Sequence, residues 1–347
     1  MNAVSKKSEG ISQSVSTVSA TLRGQPASIA LGLVALIVLI VLPFLLNGYA
    51  VQVVTIGYFY VMLGISWNIL AGYTGQFSLA QHAFATIGSY ASAAVVLALN
   101  LPLPAGIVAA VVVAGLIGYG LGWATLGMRG VYFAIATWAF AESVRILIGI
   151  NYQITRGDMG LSVPYLFATP DPTPYYYVFL GAAALTLLLN VALLRMKIGY
   201  RMRSIRDDPE LAVACGVDVF RWKRWVFTIS TAIAGLAGAL YGHTVGLLSP
   251  SQASFTQMAF VIIAVVLGGY RTLWGPVVGG LLAQGFAEAL RFSAEARFVL
   301  FAVMVIAIMR LYPPGIVGFI ESVLAKNRPG KPAAELNGES LTTRGSG

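Results

Sequence analysis

Gly199-Tyr200-Arg201-Met202-Arg203-Ser204-Ile205-Arg206-Asp207-Asp208-Pro209-Glu210-Leu211-Ala212-Val213-Ala214-Cys215-Gly216-Val217-Asp218-Val219-Phe220-Arg221-Trp222-Lys223-Arg224 is the one long charged stretch between the first and last apolar runs of the chain. Its centre reads as a short helix that carries its own start and stop signals. Asp207 or Asp208 can accept from the first free amides, Pro209 suits the first helical position, and Glu210 suits the positive end of the dipole. Leu211, Ala212, Ala214 and Cys215 continue the turn, and Gly216 can take the left-handed conformation that ends it. Two helical turns are not stable alone in water. The segment therefore needs a surface to sit on, and docking on a partner is favoured over a plain solvated loop between two spans. Its cationic flanks place it on the cytoplasmic side of a membrane.

Working outward, the rest of the chain is apolar. Of 347 residues 58% are hydrophobic and only 10% are charged, where a soluble domain carries about 25% charged residues. Runs of roughly 20 apolar residues recur, which defines an all-α polytopic membrane protein. Ten segments qualify, near 29–46, 50–71, 78–98, 104–127, 131–150, 176–195, 225–247, 257–270, 274–291 and 297–312. The eighth is short for a bilayer and reads as broken or re-entrant. Residues 1–24 are polar and Ser-rich and are expected to be a disordered cytoplasmic N-terminus. The apolar transmembrane body spans 25–321, and 322–347 reads as a disordered cytoplasmic tail. The first apolar run is too long for a signal-peptide core and lacks a small-residue cleavage site, so it reads as a span.

With a cytoplasmic N-terminus and strict alternation, eighteen of the 22 Lys and Arg residues fall inside. Only Arg145, Arg156, Arg291 and Arg297 lie at or beyond the outer face. The net charge of +9 is thus accounted for by the positive-inside rule and calls for no nucleic acid. The single cysteine, Cys215, rules out an internal disulfide and a Cys-rich metal site. Glycines such as Gly115, Gly118, Gly275, Gly279 and Gly280 read as sites of close helix packing. The outer loop 151–175 is rich in Pro and Gly, and its tyrosines suit the interfacial belt. Two short echoes, 70–73 with 267–270 and 140–145 with 286–291, hint at internal repetition without a single offset.

Polar residues inside the spans carry the functional question. Glu142 and Glu288 each have an arginine three residues on, Arg145 and Arg291, on the same helical face. Either these are internal ion pairs, or the acids line a translocation path. Gln284 lies one turn before Glu288 and extends that stripe. In the third span Ser78, His82, Thr86 and Ser89 form one continuous polar face. It serves either interhelical hydrogen bonds or a wet path for a small polar solute. His82 and His243 have no carboxylate or cysteine at ligand spacing, so no metal site is expected. No phosphate-cradling Gly-x-x-x-x-Gly-Lys-Ser/Thr stretch occurs, so the chain itself binds no ATP by that motif.

Five stretches in order carry a family resemblance. They are Asn68-Ile69-Leu70-Ala71-Gly72-Tyr73-Thr74-Gly75-Gln76-Phe77-Ser78-Leu79, Arg129-Gly130-Val131-Tyr132-Phe133-Ala134-Ile135-Ala136-Thr137, Ile205-Arg206-Asp207-Asp208-Pro209-Glu210-Leu211-Ala212, Gly235-Leu236-Ala237-Gly238-Ala239-Leu240-Tyr241 and Leu273-Trp274-Gly275-Pro276. Together they resemble the membrane permeases of branched-chain amino-acid ABC importers, of the LivM type, over roughly residues 50 to 320. The chain departs from the family's usual residues at His82, at Val163 before Pro164, and at Tyr270-Arg271. The resemblance implies the ABC importer permease fold in the bacterial inner (plasma) membrane. It makes Arg206, Asp207, Asp208, Pro209, Glu210, Leu211, Ala212 and Gly216 the coupling segment seated in a cytoplasmic ATPase. It also implies a second homologous permease subunit, two ATPase subunits that bind the ATP, and a periplasmic solute-binding protein. The expected role is non-catalytic translocation of branched-chain amino acids or related small solutes such as amides or urea. The rival readings are a stand-alone secondary transporter and a passive channel, neither of which needs a docking helix.

Overall fold

The computed structural model describes residues 38–125, 127–128, 130–291, 303, 310 and 315–319. Both expected disordered termini, most of the first and last apolar runs, and Arg129 lie outside the described residues. In chain order the helices are α1 (Gly48–Thr74), α2 (Gln81–Ala98), α3 (Leu103–Thr125) and α4 (Val131–Ile150). A two-residue strand, β1 (Leu161–Ser162), follows, then α5 (Thr173–Arg195), α6 (Lys197–Asp207), α7 (Pro209–Ala214) and α8 (Val219–Val245). Strand β2 (Leu247–Leu248), α9 (Phe255–Gly268) and α10 (Gly275–Ala289) complete the order. Five of these helices, α1, α3, α4, α5 and α8, are long and apolar enough to cross a membrane.

Helix α1 is hydrophobic on every side, the pattern of a helix surrounded by others. Its Tyr58, Phe59, Met62, Leu63, Ile65, Trp67 and Ile69 are all buried. Around it lie α8, α10 and α5, while α2 and α3 pack chiefly on α8. The crossing of α2 and α8 is close because both contribute glycine. A Cβ at Gly238 would run into the Ala85 carbonyl, and one at Gly88 into the Gly235 backbone. By contrast α4 is the least covered of the five long helices, with Tyr132, Trp138, Leu147 and Ile150 exposed.

The bundle has one basic end, made of residues 72–77, 199–224 and 269–274. There Arg206 Nη1 donates to the Gly72 carbonyl at 3.2 Å and the Arg271 amide to Asn68 Oδ1 at 3.1 Å. At the opposite end β1 and β2 pair antiparallel, Leu161 with Leu248, tying the 151–175 loop to the end of α8.

Two helices start far from either end. After Thr74 the chain turns at Gly75, whose φ of 71° suits glycine, and runs back along α1. Trp67 Nε1 donates to the Ser78 carbonyl at 2.9 Å, so α2 begins beside Ser66, about 12 Å inside the end of α1. The third span was expected from residue 78; its helix begins at Gln81, because 75–80 form the non-helical return that follows the left-handed turn at Gly75. Similarly, residues 249–254 descend from β2 before α9 begins. Tyr60 OH donates to Gln257 Oε1 at 3.2 Å and its ring packs on Phe260 at 4.5 Å. Helix α9 therefore starts beside the middle of α1. Its 14 residues reach about 21 Å, short of the roughly 30 Å apolar thickness of a bilayer, as the length of the eighth apolar run foretold.

Candidate functional site

At the basic end, α7 forms as its punctuation requires. Asp208, rather than Asp207, is the cap: its Oδ1 accepts from the Glu210 and Leu211 amides at 2.9 and 3.0 Å. Pro209 takes the first position and Gly216 stops the turn at φ 80°. Asp207 instead closes a salt bridge with Arg206 at 2.7 Å. The helix is seated on the protein by one residue. Ala212, 3% exposed, packs with Ile205 of α6 and Val219 of α8. The side turned to solvent carries Leu211, 61% exposed, with Val213 and Glu210. Ala212 was expected to meet a partner's groove; it faces inward, because a small apolar side chain fills the narrow gap between α6 and α8. The sequence reading also missed α6 itself, whose buried Met202 and Ile205 are spaced by three, the signal of a helical face. Between α7, the 74–77 turn and the start of α4 lies a cavity of about 560 Å³, lined by Gln76, Phe77, Phe133, Arg206 and Phe220.

At mid-depth the polar face of α2 divides. Ser78 Oγ donates to Gln81 Oε1 at 3.1 Å, and Gln81 Nε2 donates to Ser230 Oγ at 2.6 Å and Ser66 Oγ at 3.3 Å. Ser230 Oγ in turn donates to the Ser66 carbonyl at 2.7 Å. This buried cluster joins α1, α2 and α8. Thr86 and Ser89 donate to carbonyls of their own helix, those of His82 and Thr86. His82 differs: it is 4% exposed and makes no bond to the Gln81 cluster. Its ring meets Phe59 edge-on at 5.7 Å and lies against the Gln252 backbone.

The two acids are held apart on different helices. Glu142 pairs with Arg145 on the exposed side of α4. Glu288, on α10, contacts Tyr49 OH, and Arg291 Nη1 reaches Tyr49 OH at 3.0 Å and Glu288 at 3.4 Å. Gln284 is buried against α1, where the space at Gly57 admits its Cβ. Near the same end a cavity of about 850 Å³ opens between the start of α1, the 164–175 loop and the end of α8. Gln52, Thr55, Tyr165, Tyr175 and Thr244 line it. Thr55 and Thr244 sit one turn from Phe59 and Tyr241, which stack at 4.4 Å beneath it. His243 pins the loop above: its Nδ1 donates to the Pro164 carbonyl at 2.8 Å, and Nε2 then accepts from Ser92 Oγ at 2.9 Å.

Residues 49–326 match the family described as branched-chain amino acid transport system, permease component. The chain belongs to this family. It is 31% identical to the high-affinity branched-chain amino acid transport system permease protein LivM of Escherichia coli K12, over 82% of this chain and 74% of that protein. It is 27% identical to the LivH permease protein of the same system in the same organism, covering 76% of this chain and 93% of LivH. A shorter similarity, 28% over 33% of the chain and 35% of the relative, links it to the guanosine ABC transporter permease protein NupQ of Bacillus subtilis. No solved structure matches the chain.

Proposed function

We propose that this chain is a membrane-spanning permease subunit of a binding-protein-dependent ABC importer for branched-chain amino acids in the bacterial inner membrane. The carrying observation is α7. It is capped by Asp208 and seated by Ala212, and it turns Leu211 and Val213 outward at the basic end. An exposed apolar pair on a two-turn helix is what a separate ATPase would grip, and a secondary transporter or channel has no use for it. Arg206 couples the segment to the membrane part, because it holds Asp207 on one side and the Gly72 carbonyl at the end of α1 on the other. In this reading the chain is non-catalytic. Two ATPase subunits bind the ATP, a periplasmic solute-binding protein delivers the solute, and a second, homologous permease completes the membrane part. Ten spans are proposed, within residues 25–321.

The exposed side of α4 is proposed to face that second permease across the translocation path. An ion pair such as Glu142–Arg145 is costly against lipid and needs a polar or protein surface opposite it. Co-expression of this chain with its companion permease, ATPases and binding protein, followed by reconstitution, tests the assignment. Leucine uptake should require both ATP and loaded binding protein. Uptake driven by an ion gradient without the ATPases would replace this reading with the secondary transporter.

A further inference from the structure

The cavity of about 560 Å³ at the basic end is walled by the 74–77 turn, α7 and the starts of α4 and α8. Gln76 lines it and is only 4% exposed. Its Oε1 accepts from Thr74 Oγ1 at 3.4 Å, but among the described residues its Nε2 has no hydrogen-bond partner. Buried polar groups in folded proteins are almost always paired, so this amide asks for an acceptor that the chain does not supply.

More donors stand beside it. Arg206 packs its stem on Gly75, the residue before Gln76, where an added Cβ would lie 3.4 Å from the Arg206 Cγ. Its guanidinium holds Asp207 with Nε and Nη2 and the Gly72 carbonyl with Nη1. A guanidinium carries five N–H groups, so one on each terminal nitrogen is left over. Lys223 lines the same cavity and adds a second positive charge. The carboxylates of Asp207 and Glu210 offset part of this charge. Directed donors, the Gln76 amide and the unused guanidinium N–H groups, are therefore what select an anion here.

The rim narrows the kind of anion. Phe77, Met128 and Phe220 line the cavity and are exposed. The cavity sits where α1 ends and α4 and α8 begin, the level of lipid headgroups on the side that the positive-inside rule makes cytoplasmic. A free anion leaves these apolar side chains in water, whereas the glycerol and first acyl carbons of a lipid cover them. Basic pockets between transmembrane helices on the cytoplasmic side suit acidic lipid headgroups.

We propose that this cavity binds the phosphate of an anionic phospholipid, held by Gln76 Nε2 and Arg206. Lys223 supplies charge, and Phe77, Met128 and Phe220 cover the glycerol and the first acyl carbons. The bound headgroup braces α7 against the start of α4. The site does not depend on which solute is carried.

The test uses the complete complex in phosphatidylcholine nanodiscs, doped with phosphatidylglycerol bearing a diazirine on an acyl carbon near the glycerol. Photolabelling should concentrate at Phe77, Met128 and Phe220. Unlabelled phosphatidylglycerol should displace it, and glycerophosphate should not. Gln76→Met keeps the side-chain length and removes the donor. It should raise the mole fraction of phosphatidylglycerol giving half-maximal labelling about tenfold, the worth of a hydrogen bond to a charged group. Lys223→Gln should raise it about fivefold. Arg221→Gln, an exposed cation outside the cavity lining, should leave it unchanged.

An unchanged half-maximal fraction in Gln76→Met overturns the site. Displacement by glycerophosphate assigns the cavity to a soluble phosphate and overturns the lipid. Labelling that disappears once the ATPase subunits are present gives the cavity to the ATPase interface and overturns it too. Should Gln76→Met fail to assemble, the wild-type complex decides. Labelling of these residues by the phosphatidylglycerol probe well above that by a phosphatidylcholine probe of the same design supports the site. Equal labelling by the two probes, or none at these residues, overturns it.

Discussion

Gln81 shows how an amide is made tolerable at membrane depth. Its oxygen accepts from Ser78, its nitrogen donates to Ser230 and Ser66, and no polar atom of the side chain faces lipid. Replacing it by leucine keeps the volume and strips Ser78 of its acceptor. Gln81→Leu is expected to cost about 1–2 kcal/mol, a modest figure because partners inside membranes are partly replaceable. A lower unfolding temperature of the purified complex, with transport per folded complex retained, is the expected result. Unchanged unfolding with lost transport would place Gln81 in the path instead. Residue types and spacing brought out the stripe Ser78, His82, Thr86 and Ser89, but they could not divide it. Ser78, Thr86 and Ser89 bond within their own segment, whereas Gln81 reaches Ser66 and Ser230 on other helices, a contact the spacing does not record.

Among the elements, α7 and the α2–α8 crossing make opposite demands on size. Helix α7 is held by its cap and by Ala212. Asp208→Ala should lose about 1 kcal/mol of capping, and Ala212→Arg should unseat the helix by forcing a charge between α6 and α8. Leu211→Arg leaves that seat intact and alters only the outward face. All three are expected to reduce co-purification of the ATPase. Limited proteolysis separates them: the first two should expose the 207–216 segment to cleavage, and Leu211→Arg should not. Retention of the ATPase by Leu211→Arg would show that this face is not the docking surface. At the crossing, Gly238→Leu puts a side chain where the Ala85 carbonyl already lies. Overpacking costs about 1–3 kcal/mol and backbone cannot rotate out of the way, so the yield of assembled protein should fall. The sequence reading expected close helix packing at glycines inside the spans, without saying which helices meet. Their use became visible when α2 and α8 were seen to meet.

For the molecule as a whole, sidedness can be read with its own cysteine. Cys215 is exposed at the basic end. A membrane-impermeant maleimide should label it in inside-out vesicles and leave it untouched in right-side-out ones. Labelling from outside would invert the assignment of every span and remove α7 from the cytoplasm. The same orientation puts the 850 Å³ cavity, with the loop pinned by His243 above it and the Phe59–Tyr241 stack below, on the face where a binding protein would deliver solute. His243→Ala should loosen that loop, seen as faster hydrogen exchange at residues 161–167, with β1–β2 pairing weakened in step.

Some of this was decided locally and needed no third dimension. The apolar runs set which segments can cross a bilayer, because span length is a property of consecutive residues. Asp208, Pro209 and Gly216 set the limits of α7, because caps act on amides and carbonyls within one turn. The shortness of the eighth run already announced a helix that cannot span. The tertiary structure alone decided the depth at which α2 and α9 begin, since that depends on Trp67 holding Ser78 and Tyr60 holding Gln257. It also decided that Ala212 faces inward, that Glu142 stays half-buried while Gln284 is buried, and that His82 meets the segment leading into α9. The reason is physical: burial and hydrogen-bond satisfaction are set by neighbours distant in sequence, and the periodicity of a single helix carries no record of them.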